Sequence, residues 1–207
     1  MKSENNLRNQ ISNCTMYDRY PNIFSAVKNT ISYNNPRILC FGCSSGEEVF
    51  TLAEKYFPCS QIDGIDIDDK IIEIAKSKKS EKNINFYSNI EDIKGRKYDL
   101  IFAMSVLCRF PEKGNYCFSI FSTTISLIDS FLIPNGHLVL YNTNYLFEDT
   151  KIHEKYESLD LGINDDSFVP KYSSDDKLLY KGYPNVVKAS EDINRKMYPY
   201  FCFLKKI

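Results

Sequence analysis

The sequence lacks an excess of charge of either sign. Its 207 residues carry 26 lysines and arginines against 27 aspartates and glutamates, which leaves a formal net charge of −1. Proteins that bind nucleic acids usually present an excess of positive charge to the phosphate backbone, and this chain has no such excess. We therefore do not expect a nucleic acid as its partner.

Long apolar runs and an even set of cysteines are missing as well. No apolar stretch approaches the ~20 residues of a membrane span, and the opening segment MKSENNLRNQ is polar, unlike a secretory signal. The seven cysteines are odd in number and scattered, which argues against a disulfide framework. These absences predict a cytoplasmic protein without a membrane span.

The length and the 43% hydrophobic content suit one domain with a substantial core. No internal repeat or low-complexity linker divides the chain. We expect residues 1–207 to form a single domain, with a helical or lid segment at 1–35, a cofactor-binding core at 36–145, and an acceptor-side segment with the last strands at 146–207.

Apolar runs with strand character alternate with segments of helical periodicity. This alternation predicts an α/β fold of the Rossmann-like kind, with a mostly parallel sheet and helices on both faces. The aromatic-rich run MYPYFCFLK near the end predicts an antiparallel strand, at an edge or inserted. The other predicted strands cover 37–41, 61–67, 84–87, 97–104 and 137–142.

Ligands of such sheets bind beyond the carboxyl ends of the strands, near the first strand. The stretch ILCFGCSSGEEV, residues 38–49, lies there. Its Cys40 and Cys43 have zinc-like spacing, but no second cysteine or histidine pair follows at a suitable distance, and Cys40 falls inside a strand. We predict no metal site.

A dinucleotide loop is the second alternative for this stretch. That loop has the pattern G-x-G-x-x-G, of which only Gly42 matches, with Ser44 and Glu47 in the other two places. Glu47 and Glu48 fall in the first turn of the following helix, where they would repel a pyrophosphate. The acids make this alternative weak.

S-adenosylmethionine is the third alternative, because it has no phosphate and carries a sulfonium and an α-ammonium group. Gly42 allows the chain to turn close to a ligand, and Gly46 allows the helix to start against it. Asp66 ends the second strand 20 positions after Gly46. Its two oxygens can accept hydrogen bonds from both ribose hydroxyls.

From about residue 36 to 145 the chain resembles the class I S-adenosylmethionine-dependent methyltransferases. The similarity rests on five pieces in the family's order: ILCFGCSSGEE, IDGIDIDDKIIEIAKSK, INFYSNIEDI, YDLIFAMSVLCRF and IPNGHLVLYN. The family's loop usually reads E/D-x-G-x-G-x-G. Here Gly42 and Gly46 are kept, Ser44 has the middle place, and Cys40 stands where an acid is usual.

The resemblance implies a seven-stranded sheet, S-adenosylmethionine as cofactor, and a set of contacts. Glu47 follows the loop and belongs to the expected cofactor-binding residues. The remaining expected contacts are Gly42, Cys43, Ser44 and Gly46 with the methionine part, Asp66 and Ile67 with the ribose and adenine, Asn89 and Ile90 with the adenine edge, and Ala103 and Met104 on the sulfonium side.

Within the family, CSSGEEVFTLA is most similar to the loop of chemotaxis receptor glutamate methyltransferases, close to CSTGEEPYSLA. Ser105 and Val49 replace an asparagine and a proline of that group. Residues 1–35 also leave no room for its N-terminal helical domain. We therefore do not transfer its substrate.

The predicted function is methyl transfer to a small-molecule or protein side-chain acceptor. Such transfer needs alignment of the acceptor with the methyl group, and it needs a base only if the acceptor must lose a proton early. The sequence assigns no catalytic residue and no oligomeric state. The acceptor-side candidates are Tyr17, Tyr20, Arg109, Asn144 and Tyr145.

Enzymes that methylate amino groups of nucleic acids often carry Asn/Asp-Pro-Pro-Tyr after the fourth strand. This chain has Ala103-Met104-Ser105-Val106 there, which argues against such an acceptor.

The altered glycine loop keeps a second class of function open. In this alternative the chain is a binding module that retains the S-adenosylmethionine fold without catalysis and acts through protein partners.

Overall fold

The computed structural model describes residues 14–78, 83–108, 116–163, 169–180 and 202–206. Seven strands form one sheet in the order β3-β2-β1-β4-β5-β9-β6, and β7 pairs with β8 in a separate hairpin. The strands are β1 (Arg37–Phe41), β2 (Gln61–Ile65), β3 (Ile84–Tyr87), β4 (Tyr98–Met104), β5 (Leu132–Tyr141), β6 (Tyr156–Leu159), β7 (Lys171–Tyr172), β8 (Leu178–Tyr180) and β9 (Cys202–Lys205).

The pairings confirm the predicted fold class. Strands β1 to β5 are joined by parallel pairings. β9 runs antiparallel to both β5 and β6 and lies between them. The predicted antiparallel strand near the end of the sequence is therefore inserted in the sheet and does not form its edge.

Four α-helices accompany the sheet in the described residues: α1 (Pro21–Thr30), α2 (Glu47–Thr51), α3 (Asp69–Ser77) and α4 (Phe118–Phe131). A π-helical turn, Leu52–Tyr56, continues α2, and short 3-10 turns lie at Ile90–Ile93, Phe147–Asp149 and Lys151–Lys155. Asp68 begins α3 by accepting hydrogen bonds from the backbone N–H groups of Lys70 and Ile71, which satisfies two donors of the first turn.

Two apolar clusters, one on each face of the sheet, bury the strands on both sides. α1, α2 and α3 contribute to the first, and α4 to the second. Neighbouring residues of β1 divide between them, since Ile38 and Cys40 belong to the first and Leu39 to the second. This alternation is the period of two that a strand buried on both faces requires. The side chains of β1 therefore pack on both faces of the sheet, just before the loop that follows.

Three strands differ in length from the prediction. β4 begins at Tyr98, one residue later than predicted. β5 begins at Leu132 and not at 137, because the turn at Pro134-Asn135-Gly136 is absorbed as an irregularity between the pairings Tyr98 to Leu132 and Leu100 to His137. β2 ends at Ile65, two residues early, because the chain turns at Asp66. No helix in the described ranges is long and apolar enough for a membrane span.

Candidate functional site

The loop after β1 is fastened to the end of β2. Both Gly42 and Cys43 donate their backbone N–H groups to the carbonyl oxygen of Ile65, at 2.8 and 3.0 Å. The Asp66 carboxylate accepts from the N–H of Ser44 at 2.9 Å and from the N–H of Asp68 at 3.1 Å. These four bonds hold the loop and the Asp66 side chain in one arrangement.

Two glycines are required by the shape of this loop. Gly42 and Gly46 have φ angles of +79° and +90°, in the left-handed region that side chains disfavour. A Cβ at Gly42 would lie 2.2 Å from a methyl carbon of Val106, and one at Gly46 would lie 2.8 Å from the ring of Phe86. Ser44 between them also has a positive φ, of 49°. The backbone therefore approaches the ends of β3 and β4 closely.

A pocket with about 430 Å³ of empty volume, partly open to solvent, lies between this loop and the segment 14–20. Arg19 and Tyr20 line it from the N-terminal side. Its opposite wall is formed by the loop residues 42–44, by Glu48 at the start of α2 and by Met104 at the end of β4. The pocket thus stands over the carboxyl ends of β1 and β4, where the fold predicts a ligand.

The segment 14–20 is clamped onto α2 and its π-helical turn. Asp18 donates its backbone N–H to the hydroxyl of Thr51 at 2.8 Å. Its carboxylate accepts from Lys55 at 2.5 Å and from the Tyr56 hydroxyl at 2.8 Å. The hydrogen bond from Lys55 lowers the pKa of Asp18. The clamp holds Arg19 and Tyr20 over the pocket.

The two neighbouring acids of α2 have different surroundings. Glu47 accepts hydrogen bonds from Lys78 at 2.6 Å and from the Ser45 hydroxyl at 2.7 Å, and it is not among the pocket-lining residues. Glu48 lines the pocket. Loss of hydration raises the pKa of Glu48 to about 7, against the opposing effects of a hydrogen bond with the Cys40 thiol and the charge of Arg19.

Glu48 is therefore a pocket residue that the predicted set omits. A signal was present in the sequence, because Glu48 lies one helical turn before Leu52, in line with the buried stripe of α2. Glu47 follows Gly46 directly in the sequence. In the structure it pairs with Lys78 and is not among the pocket-lining residues.

The strands β4 and β5 both end in a residue with a left-handed backbone. Ser105 follows Met104 with φ of 55°, and Asn142 follows β5 with φ of 54°. The Asn142 amide donates to the Ser105 hydroxyl at 2.8 Å, and the Tyr20 hydroxyl lies 2.6 Å from the same oxygen. A pocket-lining tyrosine is thus anchored to the ends of two strands.

Three of the other acceptor-side candidates, Tyr17, Asn144 and Tyr145, are not among the pocket-lining residues. Tyr17 is 41% exposed and donates to Glu54 at 2.7 Å. Asn144 and Tyr145 are completely buried: the amide of Asn144 donates to the carbonyl of Pro170 at 2.8 Å, and the hydroxyl of Tyr145 donates to Asp176 at 2.6 Å. Arg109 lies outside the described residues.

The residues expected near the adenine follow β2 and β3, the two strands on one side of β1 in the sheet. Ile67 is 50% exposed, and Ile90 is half-buried. Asn89 is exposed, and its side-chain oxygen accepts from the N–H of Glu91 at 3.0 Å. Ala103 is buried in the cluster on the α4 face, whereas Met104 reaches the pocket.

Cys40 and Cys43 are both buried, and burial raises the pKa of each thiol well above its usual range. Thiols that stay protonated are poor metal ligands and poor nucleophiles. Within the part of the chain that the structure describes, no group of three or more His, Cys, Asp or Glu side chains could hold a metal ion.

Comparison with known proteins gives one family. A model described as a methyltransferase domain matches residues 33–197. No curated protein sequence matches the chain.

The solved structures that are similar in fold include the following three. Magnesium protoporphyrin IX methyltransferase from Synechocystis PCC 6803 with bound SAH is 20% identical, with 60% of this chain and 55% of that chain covered and a TM-score of 0.48. PKMT2 from Rickettsia typhi in complex with AdoHcy is 23% identical, with 65% and 27% covered and a TM-score of 0.47. The plantazolicin methyltransferase BpumL, in complex with a monoazolic desmethylPZN analog and SAH, is 17% identical, with 59% and 47% covered and a TM-score of 0.44. The chain therefore spans about half the length of BpumL.

Proposed function

The chain belongs to the methyltransferase domain family, and we propose that it transfers a methyl group from S-adenosylmethionine to a small-molecule or protein side-chain acceptor. S-adenosylmethionine is the cofactor that this membership indicates. When bound, it supplies an electrophilic methyl group on a positively charged sulfur. The residues of the chain then have to hold it, exclude water and align an acceptor.

The charges in the pocket carry this proposal. Glu48 and Arg19 place one carboxylate and one guanidinium in the same pocket, beside the glycine loop. The methionine end of the cofactor has one α-ammonium and one α-carboxylate group, so the two pairs are complementary. We assign the ammonium to Glu48 and the carboxylate to Arg19. A dinucleotide pyrophosphate would meet the Glu48 carboxylate instead.

Asp66 suits the ribose. An ionised carboxylate offers about four acceptor positions, and the backbone N–H groups of Ser44 and Asp68 occupy two of them. The remaining positions can accept from ribose hydroxyls. The same two bonds fix the orientation of the carboxylate before a ligand arrives, which lowers the entropic cost of binding.

The other predicted contacts remain proposals of the same kind. The loop residues Gly42, Cys43, Ser44 and Gly46 would surround the methionine part, and Met104 the sulfonium side together with Ala103. Ile67, Asn89 and Ile90 would meet the adenine. Glu47 keeps a weaker case, since its partners are Lys78 and Ser45. We also propose that residues 1–207 act as one domain and that the loop's similarity to chemotaxis receptor methyltransferases does not extend to their substrate.

Replacing Asp66 by alanine tests the ribose assignment. We expect affinity for S-adenosylhomocysteine, titrated by calorimetry, to fall by about 1.5–3 kcal/mol, or roughly 10- to 150-fold, the range for a charged hydrogen-bond partner. Glu73→Gln is the matched control, because Glu73 lies on α3, the helix that follows Asp66, and pairs with Lys76 at the surface. A thermal melt of each variant separates lost affinity from lost folding.

The outcomes separate the alternatives. No heat of binding in the wild-type protein would refute the cofactor proposal, and equal affinity in Asp66→Ala would refute the ribose assignment. Tight binding without transfer to any acceptor in a broad screen would favour the non-catalytic binding module.

A further inference from the structure

Three side chains from distant parts of the sequence meet at the end of β4. Tyr20 and Ser105 are 85 residues apart, and Asn142 is 37 residues beyond Ser105. All three are buried, at 8%, 4% and 2% exposure. Ser105 and Asn142 both have left-handed backbone, a conformation that few non-glycine residues adopt, and both follow a strand end.

Counting hydrogens in the group leaves one hydroxyl proton for a ligand. The Ser105 oxygen accepts from the Asn142 amide, and a single proton lies between Ser105 and Tyr20. Either oxygen of the Tyr20–Ser105 pair can be the donor. Ser105 does not line the pocket and Tyr20 does, so the arrangement that offers a proton to a pocket ligand is the one in which Ser105 donates to Tyr20 and the phenol proton is left for the ligand.

Tyr20 acts here as a donor and not as a base. Burial raises its pKa above the ordinary value of a tyrosine, which keeps the phenol protonated at neutral pH. Its ring is fixed by edge contacts with Phe24 and Tyr141, with centroids 6.2 and 5.1 Å away, and Arg19 lies over its face at 5.1 Å. A ring held in this way keeps its hydroxyl in one place.

We propose that Tyr20, held by Ser105 and Asn142, positions the methyl acceptor by donating a hydrogen bond to it, and that this selects oxygen acceptors such as carboxylates over amines. The proposal rests on the proposed function, because it needs the cofactor in the same pocket. An amine has one lone pair, which it must use for the attack. A carboxylate attacks with one lone pair and accepts from Tyr20 with another.

The transfer itself balances without a base. A lone pair of the acceptor oxygen forms the new bond to the methyl carbon, the carbon–sulfur bond breaks, and its electron pair stays on sulfur. A carboxylate has no proton to lose, and its negative charge is cancelled by the positive charge that the sulfur gives up. Tyr20 therefore aligns the oxygen without exchanging a proton.

The test uses two simple probes, butyrate and butylamine, with tritiated S-adenosylmethionine. The rates of methyl transfer to each are compared for the wild-type protein, Tyr20→Phe, Ser105→Gly and Tyr33→Phe. Ser105→Gly removes the hydroxyl while suiting the left-handed backbone. Tyr33→Phe is the matched control, because it also removes a phenol, one that bonds to Asn135 and His137 away from the pocket. Calorimetry with S-adenosylhomocysteine measures cofactor affinity in every variant.

We expect the ratio of the butyrate rate to the butylamine rate to fall about tenfold or more in Tyr20→Phe and Ser105→Gly, the effect of one lost hydrogen bond. Cofactor affinity should stay within about twofold of wild type. Partial unfolding of a variant would lower the butyrate and butylamine rates by the same factor. It therefore cannot produce the expected fall in their ratio. Tyr33→Phe should match the wild type in both measurements.

Carbon-13 labelling of the tyrosine ring carbon that bears the hydroxyl gives a second measurement that needs no turnover. In the S-adenosylhomocysteine complex, butyrate should shift the resonance that disappears in Tyr20→Phe, and butylamine should not. An unchanged rate ratio in Tyr20→Phe, or a Tyr20 resonance indifferent to saturating butyrate, overturns this inference. Absence of S-adenosylhomocysteine binding in the wild type would instead overturn the proposed function.

Discussion

The two edges of the candidate site are built in different ways. Around the glycine loop, the hydrogen bonds are donated by backbone N–H groups within residues 42–68, and two glycines at positive φ pack against Phe86 and Val106. At the ends of β4 and β5, the contacts are made by buried side chains that are 26 to 85 residues apart. The edge proposed for the cofactor, called the cofactor edge below, is therefore held by main-chain geometry, and the edge proposed for the acceptor, called the acceptor edge, by side chains that can change while the backbone stays.

The largest effect should follow from adding a methyl group to the loop. Gly42→Ala combines a left-handed backbone, costing about 1–2 kcal/mol, with a Cβ 2.2 Å from the Val106 side chain. Overpacking of that kind costs typically about 1–3 kcal/mol more. We expect the free energy of unfolding, measured with urea, to fall by about 2–5 kcal/mol, with loss of S-adenosylhomocysteine binding.

Gly95 offers the matched control for this substitution. It has nearly the same φ, +78°, with nothing within 4 Å of an added Cβ. Gly95→Ala should therefore cost only the backbone strain and leave cofactor affinity intact. If the two variants lose equal stability, the close approach to Val106 has no energetic weight, and the cofactor edge is less constrained than we argue.

A smaller effect of a different kind is expected at the acceptor edge. Asn144→Ala leaves the carbonyl of Pro170 without its hydrogen bond in a fully buried site. The unfolding free energy should fall by about 1–3 kcal/mol. Affinity for S-adenosylhomocysteine should remain within about twofold, because Asn144 is not among the pocket-lining residues. A loss of affinity as large as the loss of stability would erase the distinction between the edges.

The finest comparison is between the neighbours Glu47 and Glu48. Burial raises the pKa of Glu48 to about 7, and only its ionised form attracts an α-ammonium group. Affinity for S-adenosylhomocysteine should therefore be constant above about pH 8 and weaken as the pH falls through 7, by at most about tenfold per unit. Titrations from about pH 5.5 to about pH 8 measure this dependence.

Substitution of each acid shows which of the two carboxylates causes the pH dependence. Glu48→Gln should lower affinity at high pH and remove the dependence, whereas Glu47→Gln should preserve both, since Glu47 pairs with Lys78 outside the pocket. A flat profile in the wild type would contradict the role of Glu48. A profile abolished by Glu47→Gln would assign the ammonium contact to Glu47, which belongs to the predicted cofactor-binding residues.

The same difference between the two edges explains which parts of the fold and of the candidate site could be predicted from the sequence. The spans of β1 and β3 agree with the sequence-based ones, because buried apolar runs closed by turn residues are local signals. Glu48 was within reach of the same reasoning, through its helical spacing from Leu52. The group of Tyr20, Ser105 and Asn142 was not, because contacts across 85 and 37 residues leave no regular spacing in the sequence.

The loss of hydration at Glu48, beside the Cys40 thiol, has one more consequence. An acid with a pKa near 7 is only partly ionised at neutral pH. A cation bound beside it lowers that pKa, so the protonated fraction of the acid loses its proton. Ligand binding would then be coupled to the release of a fraction of a proton to the buffer. The heat observed on binding would include the ionisation heat of that buffer, so the pocket would bind at equal strength in two buffers of the same pH and yet give two different enthalpies.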